Sequence, residues 1–106
     1  MAEHLSNQGY KDPAAVLVGS VLEEHLRKLC LKNSLPVLVG VTHKKADSLN
    51  ADLAGASVYS KLDQKSVTAW LDLRNKAAHG RYTDYTKDQV QLMLDGVRNF
   101  MARHVA

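Results

Sequence analysis

The chain has 106 residues, 45% of them hydrophobic and 24% charged, with two prolines, one cysteine and a formal net charge of +3 at pH 7. That is enough apolar material for one core, too little length for a second, and too much apolarity for a disordered chain. No apolar run approaches the roughly 18 residues of a membrane span. Glu3 and His4 interrupt the basic-then-apolar order of a signal peptide, and the lone Cys30 has no internal partner for a disulfide, so a cytoplasmic protein away from membranes is expected.

Residues 1 to 12 lack a sustained apolar period and carry Ser6, Asn7 and Gly9, which predicts a flexible arm ahead of a single domain over 13 to 106. Asp12 and Pro13 form a helix start, with Asp12 as cap. Val18, Leu22, Leu26 and Leu29 then recur at helical spacing to about Lys32. Glu23 with Arg27 and Glu24 with Lys28 are spaced i,i+4 on the opposite face. Gly19 lowers the helix propensity there by about 1 kcal/mol, so Gly19 and Ser20 mark a close crossing by another helix. Val37 to Val41 is a short apolar run with no evident partner strand, and a packed connection is expected.

A shorter helix is predicted over Lys44 to about Ala54, ended by Gly55, Ala56 and Ser57, with a further turn at Val58 to Leu62. Asp63 caps the next predicted helix, Gln64 to His79, which should bury Val67, Trp70, Leu71, Leu73 and one of Ala77 and Ala78. Arg81 to Tyr85 reads as a loop. Thr86 and Gln89 make a capping box for a last helix to about His104, with Val90, Met93, Leu94, Val97, Phe100 and Met101 on its stripe. The fold class is all-α: an antiparallel four-helix bundle with one or two short extra helices.

The stretch Leu73 to Gly80 departs from a plain core helix. It holds Arg74, Asn75, Lys76 and His79 with no acid among them. Gly80 suits the left-handed residue that ends a helix. Arg74 and His79 are both expected at an exposed helix end. Five residues apart, they differ in direction by about 140° on a straight helix. They converge only if the helix loosens, if Arg74 curls round, or if a second copy closes the site.

Arg-polar-x-x-x-His at a helix end resembles the signature of HEPN domains (higher eukaryotes and prokaryotes nucleotide-binding). The upstream helix with Leu22, Glu23, Glu24 and His25, the lead-in Trp70 to Leu73 and the Thr-capped last helix fit the same pattern, so the resemblance spans roughly residues 13 to 104. It implies a helical bundle, a metal-independent ribonuclease activity without cofactor, and a homodimer. It also implies a setting in defence or toxin–antitoxin systems, where an antitoxin or nucleotidyltransferase is the partner. Some members carry a tyrosine two residues after the histidine, as the target of such a transferase. This chain has Arg81 there and Tyr82 one step later.

On that resemblance His79 is the base or acid and Arg74 the phosphate clamp. The chemistry suits the residue types: imidazole exchanges protons near neutral pH, and guanidinium matches phosphate oxygens with a planar fork. Asn75 shares a face with His79 and can orient the imidazole or hold the phosphate, or be a plain exposed polar residue. Lys76 and Arg81 would attract phosphates, and Tyr82 and Tyr85 would stack on bases or pack over the bundle end. Solvated surface charge is the alternative for both cations. Glu23, Glu24 and His25 lack a Glu-x-x-His spacing, and His43, His104 and Cys30 are scattered, so no metal is expected. Two other readings stand beside the ribonuclease: a non-catalytic module that binds nucleotide or RNA or mediates assembly, and a structural bundle.

Overall fold

The computed structural model describes residues 11–106, so the predicted arm lies almost wholly outside the described residues. Among the described residues four helices make an all-α bundle: α1 (Lys11–Lys32), α2 (Ala46–Gly55), α3 (Lys61–Ala78) and α4 (Lys87–Arg103). A single 3-10 turn, Tyr82–Asp84, joins α3 to α4. Among the described residues no helix is long and apolar enough to cross a membrane.

Helix α1 packs against the other three. Its stripe is the expected one, with Val18, Leu22, Leu26 and Leu29 buried against Leu49 and Leu53 of α2, Val67 and Leu71 of α3, and Val90, Met93, Val97 and Phe100 of α4 in one continuous cluster. Cys30 is buried in the same cluster. Residue pairs fix the directions. Gly19 of α1 lies against Arg74 of α3, and Asp63 at the start of α3 binds Arg103 at the end of α4, so α3 runs antiparallel to both. The ends of α1 and α4 meet, with His25 Nε2 2.6 Å from the His104 carbonyl oxygen and Lys32 Nζ donating to the Val105 carbonyl.

Asp63 does not cap α3. Ser60 does, its hydroxyl accepting from the Asp63 N–H at 3.1 Å, and the helix starts at Lys61. That frees the Asp63 carboxylate to take two hydrogen bonds from Arg103, at 2.9 and 3.1 Å, with His104 Nε2 at 3.2 Å. The Arg103 guanidinium holds the Asp63 carboxyl below the usual aspartate range against an opposing effect of burial, and His104 adds to the lowering. Asp12 likewise does not cap: α1 is already helical at Lys11, and the Asp12 carboxylate accepts a hydrogen bond from the buried Tyr85 hydroxyl. The capping box at Thr86 and Gln89 forms as expected.

The run at Val37 to Val41 is where expectation and structure differ most. Leu38–Val39 (β1) pairs antiparallel with Thr42–His43 (β2), Leu38 opposite His43 and Val39 opposite Thr42. The partner strand was two residues away, inside the same connection. Gly40, at φ 61°, takes the first turn position, where a two-residue hairpin with left-handed backbone selects glycine. A further bond from the Lys44 N–H to the Val37 carbonyl, 2.9 Å, extends the ladder toward α2. Helix α2 therefore begins at Ala46 rather than Lys44, because Lys44 is still hairpin and Lys45 is the N-cap.

Candidate functional site

The end of α3 builds the site. The Arg81 N–H reaches back to the Lys76 carbonyl at 2.9 Å and the Gly80 N–H to Ala77 at 3.3 Å, with Gly80 at φ 73°. This paired closure needs the left-handed residue that glycine provides. His79 is then the C-cap, at φ −95° and ψ 12°, and its backbone has left the helical path. The His79 N–H still bonds the Asn75 carbonyl at 3.0 Å, and despite the angular offset expected on a straight helix Arg74, Asn75 and His79 line one cleft of about 490 Å³.

Arg74 is not at an exposed end. Its side chain is only 20% exposed, because the stem lies on Gly19, where a β-carbon would come within 2.6 Å of Arg74 Cβ. The close crossing expected at Gly19 is thus made by the motif arginine itself. Its Nε donates to Asn75 Oδ1 at 3.0 Å, so Asn75 holds the arginine. Its Nη1 lies 3.7 Å from Glu23 of α1. Glu23 also faces Arg27, at 3.5 Å, and so sits between two guanidinium groups. Arg27 Nη1 is buried and has no hydrogen-bond acceptor.

The phosphate-binding set expected from sequence does not gather here. Lys76 pairs with Asp72 at 3.2 Å and opens on a different cleft, beside Trp70 and Leu73. Arg81 is exposed and pairs with Asp84 at 2.7 Å. Tyr82 lines a groove with Ala77, Ala78 and the first turns of α1. The stretch without acids is therefore not free of them in three dimensions: Glu23 and Asp72 answer its two fixed charges from outside it, as Asp84 answers Arg81 just beyond. Tyr85 is buried and packs over the bundle end.

Other residues take their place. Arg27 from α1 and His43, Lys44 and Lys45 from the hairpin and its exit line the cleft with Arg74 and His79. Four fixed cations thus face two acids, Glu23 and Asp47. Lys44 is partly committed, with its ammonium 2.7 Å from Asp52 of α2. The three consecutive basic residues His43, Lys44 and Lys45 were a visible signal. Only a fold that turns the hairpin toward α3 makes them part of this site. Comparison with protein-family models, with characterised proteins and with solved structures finds no match, so the reading of the site rests on its residues and their geometry.

Proposed function

We propose that this chain is a metal-independent endoribonuclease of the HEPN kind. The observation that carries the reading is the convergence of Arg74, Asn75 and His79 on one cleft that also gathers Arg27, Lys44 and Lys45. The 2′-hydroxyl of RNA attacks the adjacent phosphorus, its proton passing to a base. The phosphorus–O5′ bond breaks, and the leaving oxygen takes a proton from an acid. His79 supplies proton transfer, and Arg74 stabilises the charge that builds on the non-bridging oxygens. Arg74 is prepared for this by the Gly19 surface under its stem and by Asn75 at its Nε. The cations around it attract the strand, and that attraction weakens with salt.

The homodimer implied by the motif belongs to the same reading. The groove beside the site, lined by Ala77, Ala78 and Tyr82, offers short side chains for close packing of a second copy. A setting in cellular defence or as a toxin follows from the resemblance alone.

Glu23 favours the second reading, a non-catalytic module that binds nucleotide or RNA. It already engages both Arg27 and Arg74, and a phosphate must displace it to use the clamp. Incubation of the purified protein with labelled single-stranded RNA and DNA in a chelator separates the two. The ribonuclease reading expects RNA to be cut to 2′,3′-cyclic phosphate and 5′-hydroxyl ends and DNA, which lacks the nucleophile, to be left whole. Binding without cutting selects the module.

A further inference from the structure

Cleavage by 2′-hydroxyl attack moves two protons, one away from the nucleophile and one onto the leaving 5′-oxygen. The motif supplies a single histidine. The structure adds another from a different element. His43 lies on β2, and it lines the cleft that holds Arg74 and His79.

Its placement is set by local structure. The Gly40 turn pairs His43 with Leu38 across the ladder. The next residue, Lys44, is fixed twice, by its N–H to the Val37 carbonyl at 2.9 Å and by its ammonium to Asp52 at 2.7 Å. A histidine held next to a doubly anchored residue has a defined backbone position, although its side chain is exposed. Several of the other charged groups on the cleft are poorly suited to give a proton to an alkoxide in its place. Arg27 and Arg74 stay protonated throughout, Lys44 is engaged by Asp52, and Glu23 is engaged by the Arg27 and Arg74 guanidiniums.

Resting on the ribonuclease reading above, we propose that His43 is the general acid that protonates the leaving 5′-oxygen, with His79 as the base. The 2′-oxygen–phosphorus bond forms as His79 takes the hydroxyl proton, and the phosphorus–O5′ bond breaks as His43 gives up its own. The two histidines end in exchanged protonation states and are reset through solvent. Each chain then carries a complete proton-transfer pair, and a dimer is not needed to bring two histidines together.

A substrate whose 5′-bridging oxygen is replaced by sulfur tests this directly, because a thiolate leaves without a proton. With ordinary RNA, His43→Gln should cut about 10²- to 10⁴-fold more slowly than wild type. With the 5′-thio substrate it should cut at close to the wild-type rate, whereas His79→Gln should stay slow on both. Three results overturn the assignment while leaving the ribonuclease reading intact: His43→Gln cutting ordinary RNA at full rate, His43→Gln equally slow on both substrates, or sulfur rescuing His79→Gln instead. Wild-type protein that cuts neither substrate removes the ribonuclease reading and this assignment with it.

Discussion

Arg74 rests its aliphatic stem on the bare backbone of Gly19, so closely that a β-carbon there would lie 2.6 Å from Arg74 Cβ and closer still to Cγ. On an isolated helix, Gly19→Ala would gain about 1 kcal/mol from propensity. Here the methyl group must push α1 and α3 apart, and overpacking of that kind costs about 1 to 3 kcal/mol. Urea denaturation should show Gly19→Ala less stable than wild type, and the displaced Arg74 should cut RNA more slowly. Adding Arg74→Ala should not restore stability, because the Cβ it retains is part of the clash. A stabilised Gly19→Ala would show that the crossing is looser than described.

A second glycine makes the same kind of room. A β-carbon on Gly96 of α4 would lie 3.0 Å from Trp70 Cε2, and the indole meets Phe100 edge to face at 6.1 Å. Trp70 is half-buried, so Trp70→Ala should cost about 3 kcal/mol, the lower end for removal of a packed tryptophan. Gly96→Ala should destabilise the wild type and be nearly neutral in the Trp70→Ala background. Additive effects in that double-mutant cycle would contradict the contact.

Asp63 gives the fold an acid limit. Its carboxyl is held below the ordinary value in the folded chain, first by Arg103, so it stabilises the fold at pH above the unfolded aspartate value of about 4 and ceases to as pH falls through the folded value. Asp63→Asn should be less stable than wild type by on the order of 1 kcal/mol at pH 6. The gap should narrow as the pH drops below about 4. Chemical denaturation across that range checks it, and a gap that stays constant to pH 3 contradicts the pairing.

Helices α1 and α2 end with the closure seen at α3, but with serine in the left-handed position: Ser34 at φ 58° and Ser57 at φ 59°. The Leu35 N–H reaches Cys30 at 2.8 Å, and the Val58 N–H reaches Leu53 at 2.9 Å. A β-carbon costs about 1 kcal/mol or more in that backbone region, partly offset by the extra chain entropy of glycine. Ser34→Gly and Ser57→Gly should each raise the melting temperature, by about 2 to 5 °C. A fall at both sites would place the serine side chains in a role the closure does not explain.

The helices were legible because their signals are local. The stripe of α4, the capping box at Thr86 and the glycine that ends α3 each depend on residues within one or two turns. The hairpin was hidden because its strands are two residues long and exposed, so no alternation of burial marks them. Asp63 and Asp12 have the composition of helix caps, and only the positions of Arg103 and Tyr85 in space decide that they do other work. Within the site, the trio Arg74, Asn75 and His79 falls within six consecutive residues and was legible as a motif, although helical spacing alone set Arg74 and His79 about 140° apart. The rest of the cleft could not, since Arg27, His43 and Lys45 lie 29 to 47 residues earlier than Arg74 and meet it only where α1 and the hairpin come together beside α3.

The most direct measurement compares RNA cutting and RNA binding in the same chelator-containing buffer for wild type, His79→Ala and Arg74→Lys. If His79 moves a proton and Arg74 clamps the phosphate, His79→Ala should lose about 10²- to 10⁴-fold in cutting rate while binding a 2′-deoxy-substituted, uncleavable strand almost as well as wild type. Arg74→Lys keeps its charge but loses the planar fork, and should be nearly as slow. Cutting that survives His79→Ala unchanged, or a wild-type protein that leaves RNA whole, would contradict the account.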